Sequence, residues 1–103
     1  MASKHVSTVR KLIANHPQAW ASFQDYIAAV DQTGPLDARS QSLVKVALAA
    51  SDRSKGTFHF HVRSALEEGL SADELRHVAL LAAPILGFAT AAEALSWIDD
   101  LLD

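Results

Sequence analysis

An all-α protein of about six short helices is what this sequence predicts, and three observations carry the expectation. Half of the 103 residues are apolar while seven are aromatic, so alanine, leucine, isoleucine and valine supply most of the apolar content. Apolar residues recur at three- and four-residue spacing, and no segment alternates with period two. Proline, glycine and capping residues punctuate the chain at the ends of those periodic segments. A chain of this length forms one domain, 1–103, divided here into N-terminal helices (1–35) and a core (36–102).

The first helix is expected from about Ser3 to Asn15, with Val6, Val9 and Ile13 on one face. His16-Pro17 ends it, because the residue before proline is pushed out of the helical region. Pro17 then opens a second helix with Trp20, Phe23, Ile27 and Val30 as its apolar stripe, closed by "TGPLD". Asp37 reads as the N-cap of a third helix through "ARSQSLVKVALAAS", apolar nearly all round in its second half apart from Lys45. "SDRSKG" reads as a turn, and a fourth helix follows over about Thr57 to Glu68, with Gly69 as its left-handed stop. Ser71 to Glu74 forms a capping box, flanked by Leu70 and Leu75 as a hydrophobic staple. The fifth helix is expected over Ala72–Ala83, with Pro84 and Gly87 separating it from a sixth over about Phe88–Leu102. Phe88, Ala92, Leu95, Ile98 and Leu102 are expected on the inner face of that last helix.

Composition excludes several functions. Nine basic residues against twelve acidic ones give a net charge of −3, and the basic residues are scattered without a run or stripe, so no nucleic-acid partner is expected. The absence of cysteine removes disulfides, thiolate ligands and any thiol nucleophile. The longest uncharged stretch, Val78 to Ala92, falls short of the roughly 18 residues of a membrane span and contains Pro84 and Gly87. The first residues hold no apolar core of signal-peptide length, so a cytoplasmic location is expected. The third helix and the Val78–Ala92 segment carry more apolar surface than one protomer can hide, which predicts a homo-oligomer.

"KGTFHFHVRSALEEG", residues 55–69, holds the residues of most chemical interest. Two positions apart on a helix is about 200°, so His59 and His61 cannot chelate one ion together. His59 is expected to face solvent or a subunit boundary, and His61 the buried side near Phe58 and Ala65. His16 ends a helix, His77 falls on a polar face and His5 lies near the terminus, so no convergent ligand set is visible and neither metal nor cofactor is expected. From spacing alone His61 is either a core-edge imidazole bonded to a neighbour or a reactive group.

Leu36 to Leu102 resembles the carboxymuconolactone decarboxylase and alkyl hydroperoxidase D family. The likeness rests on the helix after "LDAR", on "HVRSALEEGLSADEL", where His61, Ala65, Gly69 and Glu74 match the family's histidine, small residue, glycine and acidic cap, and on Gly87. It implies a helical protomer assembling into dimers, trimers or hexamers, with the histidine lining a pocket near a subunit interface. In the peroxidase branch that histidine works with two cysteines and a glutamate, whose positions here read Ser54, Thr57 and Ser42. A hydroxyl cannot replace a sulfur that must be oxidised and re-reduced, so thiol peroxidase activity is not expected. Ser42-Leu43 and the His61–Ala65 pattern resemble the decarboxylase branch.

What that resemblance implies is an acid/base enzyme acting on a small carboxylated lactone or related acid. His61 is the candidate general acid/base, with Ser42 and Thr57 as hydrogen-bond partners. Arg39 and Arg63 are candidate holders of a carboxylate, and Phe58, Phe60 or Trp20 candidate apolar walls. The alternative is a non-catalytic oligomeric or ligand-binding protein on the same scaffold, suggested by the missing thiols and glutamate.

Overall fold

The computed structural model describes residues 4–102, and side chains from Ser7 to Leu102. Among the described residues there are six α-helices and no strand: α1 Lys4–Asn15, α2 Pro17–Asp31, α3 Ala38–Asp52, α4 Lys55–Glu67, α5 Ala72–Leu86 and α6 Phe88–Asp100. An expected helix start at Ser3, the side chain of Val6 and that of His5 lie outside the described residues. The chain divides into two compact units, one up to Leu36 and one from Asp37 onward.

In the first unit, α1 and α2 meet at His16, whose backbone is non-helical (φ −137°, ψ 61°) and which precedes Pro17 at the start of α2. The His16 amide closes α1 on the Leu12 carbonyl, and its own carbonyl accepts the Trp20 amide. Trp20, Ile27, Val9 and Ile13 are partly buried, whereas Phe23 and Val30 of the expected stripe are exposed. No residue of α2 is fully buried.

The second unit holds the core. Val46, Ala49 and Ala50 of α3 meet Phe58, Val62 and Ala65 of α4, Leu75 and Ala79 of α5, and Ala94 and Ile98 of α6. Alanines at these contacts let the helices approach closely, while Phe58 packs its ring against Trp97 at 5.8 Å between centroids. The inner face of α6 is therefore Ala91, Ala94 and Ile98. Phe88 and Ala92, expected inside, are exposed, because the face that follows Ile98 back at four- and seven-residue steps reaches Ala94 and Ala91.

Caps fix the helix starts and stops. Asp37 accepts from the Ser40 amide at 2.7 Å, and that bond holds its carboxyl below the usual carboxylate range. Ser54 caps α4 by accepting from the Thr57 amide at 3.4 Å, so α4 begins at Lys55, inside the stretch read as a turn. The corner between α3 and α4 thus contains Arg53 and Ser54 alone, with Arg53 in the left-handed region at φ 58°. At the other end of α4, Gly69 (φ 97°) sends its amide to Leu66 and the Leu70 amide returns to Ala65, which satisfies two end carbonyls and drives Leu70 into the core. Ser71 and Glu74 form the reciprocal capping box at 3.1 and 2.9 Å, with Leu70 and Leu75 buried on either side of it.

Helix α5 differs from expectation at its end. It continues through Pro84 to Leu86 and stops at Gly87 (φ 101°). Pro84 forfeits only its own amide bond, a loss met in the last turn of a helix already anchored on α3 and α6, whereas the Gly87 backbone leaves the helical region altogether.

Candidate functional site

Helix α4 is built as a buried stripe with a polar flank on each side. Phe58, Val62 and Ala65 repeat at four and three residues and are sealed in the core. His59 falls on one side of that stripe and His61 on the other, since two residues rotate a helical side chain by about 200°.

The His59 flank is closed by α6. Its Nε2 lies 3.0 Å from the Trp97 carbonyl and 3.5 Å from Oδ2 of Asp100, and the side chain is 14% exposed. A carbonyl only accepts, so Nε2 carries the hydrogen. Lys55, one turn earlier, reaches the same Asp100 oxygen at 3.6 Å. His59 therefore does not face open solvent, because the last turn of α6 covers this side. The bond gives a donor to a carbonyl in that last turn.

The His61 flank is partly open. The ring is partly buried and meets Phe60 edge-on, with 5.2 Å between centroids. Burial pushes the His61 imidazole below the ordinary histidine range, and the Lys45 ammonium of α3 pushes it further in the same direction. At neutral pH the imidazole is therefore neutral and available as a base.

Residues beside His61 continue this flank. Ser54, the cap of α4, and Thr57, His61 and Ser64 within it follow one another at three, four and three residues, and all are partly buried. On α3, which packs against α4, Ser42 and Lys45 are three residues apart and partly buried, next to the sealed Val46 and Ala49. Ser54 and Thr57 are also bonded to each other through the cap of α4.

The other residues singled out in the sequence are placed elsewhere. Arg39 pairs with Glu74 and ties the start of α3 to the start of α5. The Ser71 amide, and then that guanidinium, hold the Glu74 carboxyl below its usual range. Arg63 is exposed on α4. Phe58 has no accessible surface and is a core residue rather than a wall, while Phe60 is 60% exposed. Lys45 was visible in the sequence as the lone charge in an apolar helix, but its bearing on His61 needs the packing of α3 on α4.

A groove of about 540 Å³ runs between α3 and α5, lined by Val44, Leu48, Val78, Leu81, Ile85 and His77 among others. None of His61, Ser42, Thr57, Arg39, Arg63 and Phe58 lines it. Its walls are part of a broad exposed apolar face, on which Leu48 is 63% and Ile85 83% exposed. No group of three or more potential metal ligands occurs among the described residues. Among the described residues no helix is long and apolar enough to cross a membrane.

Comparison with known proteins bears on this arrangement. No curated protein sequence matches the chain. The crystal structure of an apo carboxymuconolactone decarboxylase family protein from Legionella pneumophila is similar, with a TM-score of 0.78 and 23% identity over 95% of this chain and 90% of that one. At that identity the likeness is one of fold. The sequence profile of the carboxymuconolactone decarboxylase family matches residues 14–100, which takes in the whole of α2 to α6 and both flanks of α4. By that match, the chain belongs to the carboxymuconolactone decarboxylase family.

Proposed function

We propose that this protein is an acid/base enzyme for a small carboxylated lactone or a related acid, acting through His61 without sulfur chemistry. The observation that supports this reading is the place of His61: a partly open side chain on the flank of α4 opposite His59, its proton affinity lowered by burial and then by Lys45. Loss of carbon dioxide from such an acid leaves its electron pair on carbon, delocalised toward the ring carbonyl, and a proton must then be delivered to carbon. An imidazolium can deliver that proton to carbon, and the imidazole it leaves takes another from solvent. Ser42 on the neighbouring α3, and Thr57 one turn before His61 on α4, are the hydroxyls that would orient the substrate.

The test is carbon dioxide release from carboxylated butenolides, followed together with the product's deuterium content in heavy water. Turnover with one solvent deuteron fixed on carbon is the expected result. Absence of turnover across a panel of such acids would sink the enzyme reading.

A second reading, a non-catalytic ligand-binding protein on the same scaffold, draws support from Ser54. Where the resemblance puts a cysteine, this hydroxyl is engaged as the cap of α4. Under either reading we place the protein in the cytoplasm as a homo-oligomer. The exposed Leu48, Leu81, Ile85 and Phe88 supply the apolar surface for association. Native mass measurement should give a multiple of the 11.1 kDa protomer, and Ile85→Glu should lower it.

A further inference from the structure

The groove between α3 and α5 follows from where small residues fall along the two helices. Its floor is made of rows at four-residue steps, Leu43 then Ala47 on α3 and Val78 then Ala82 on α5, with Leu43 and Val78 packed on the core. One turn beyond each of those two the side chain shrinks to a methyl group, so the floor recedes. Leu48 on one side, and Leu81 with Ile85 on the other, stand as exposed walls. The resulting hollow of about 540 Å³ lies in the size range that small molecules fill.

Polar groups are confined to the two ends of this hollow. Where α3 and α5 begin, Glu74 and His77 line it one turn apart. The Glu74 carboxylate is already engaged by the Ser71 amide and by Arg39, so this ion pair leaves no spare charge of either sign. Among the described residues no hydrogen bond or ion pair engages the His77 ring. Where α3 ends, Ser51 turns its hydroxyl back onto the Leu48 carbonyl at 2.6 Å. What remains is a hydrocarbon trough with an imidazole at one mouth.

We propose that this groove binds an uncharged, mostly hydrocarbon small molecule bearing one hydroxyl group, an aliphatic alcohol, with the hydroxyl on His77 and the chain running along Val78 and Ala82 toward Ile85. The match is one of charge. A carboxylate at that mouth would meet the carboxylate of Glu74, and an ammonium would meet the Arg39 guanidinium on it, whereas a hydroxyl both donates and accepts and so suits an imidazole in either tautomer. Between Glu74 and Ile85 helix α5 rises about 16 Å, which leaves room for a chain of about eight carbons. The site is independent of His61, which belongs to α4 and does not line the groove. A second copy of the chain is the rival occupant, because Leu48, Leu81 and Ile85 are also the surface assigned to association. The recessed alanines and the unengaged imidazole favour a small guest, since a helix laid across the walls needs neither.

The experiment uses the full chain at about pH 8.5, with 1-octanol as probe and octanoate and octylammonium as charged controls. Binding is read by NMR from the Val78 and Leu81 methyl groups and the His77 ring, and native mass is followed in the same samples. Octanol should bind saturably and move all three signals, with both controls at least about tenfold weaker. Ala82→Phe fills the hollow and should abolish saturable binding; Ala47→Leu fills it from α3 and serves as the second variant should the first not fold. His77→Phe should weaken octanol roughly threefold or more by removing the bond to its hydroxyl. No saturable octanol binding to the wild type, equal affinity for either charged control, or unchanged affinity in the folded filled variants or in His77→Phe would each overturn the proposal. Octanol that binds only as the native mass falls would assign the groove to a second copy and overturn it as well.

Discussion

The two flanks of α4 carry the same side chain in different surroundings. His59 is clamped against the last turn of α6, with Nε2 3.0 Å from the Trp97 carbonyl and a carboxylate close behind it. His61 meets a phenylalanine edge, feels the charge of Lys45, and is only partly buried. One imidazole is committed to holding two helices together, while the other is left chemically available. Residue type does not separate them; the helix packed against each one does.

Substitutions can break that contrast. The largest effect is expected from His61→Asn, which should lower turnover on a competent acid at least about 100-fold, equivalent to about 3 kcal/mol or more on the barrier, and leave the urea midpoint nearly unchanged. Equal loss of stability would mean that this flank is structural after all. His59→Ala should do the opposite. Removing a largely buried donor from the Trp97 carbonyl should cost about 1–2 kcal/mol in urea unfolding, with activity per folded molecule retained. Asp100→Asn isolates the charge from the hydrogen bond, and since this pair is exposed on the Asp100 side it should cost about 0.5 kcal/mol or less.

The smallest effect sharpens the contrast through pH. A histidine held below its ordinary value in the folded state is protonated first in the unfolded chain. Its contribution is therefore fully present above about pH 6.5 and is lost as pH falls through the lower folded value. His61→Asn should remove that part of the acid sensitivity measured by urea unfolding between pH 7 and 5. If the slope over that interval is the same in both proteins, His61 is not held neutral by the fold.

Much of this architecture is legible in the sequence because it is written in local signals. The Ser71–Glu74 box, the Gly69 stop and Pro17 each act within one turn of backbone, and each sits where spacing places it. What spacing misreads depends on partners far along the chain. Phe88 and Ala92 share an apolar stripe with Ile98 in the sequence, but α6 turns its alanines inward because the close approach of α5 selects small residues. Pro84 reads as a break, yet tertiary packing carries α5 past it. Helical phase also separates His59 from His61 correctly and still assigns the wrong flank to solvent, since the last turn of α6 lies 38 residues away from the ring it covers. Lys45 shows the same limit: its isolation is visible in the sequence, and its effect on His61 belongs to the packing of α3 on α4.

The corner at Arg53 and Ser54 governs how α3 and α4 meet. Ser54 is consumed as a cap and Arg53 is held in a left-handed conformation, so the link between α3 and α4 has no slack with which to absorb a change of length. One residue added just after Ser54 would advance every later position of α4 by about 100°, swinging His61 off its present flank and turning Phe58 out of the core. The angular timing between α3 and α4 is thus set by two residues of backbone, much as a keyed shaft fixes the teeth of two gears.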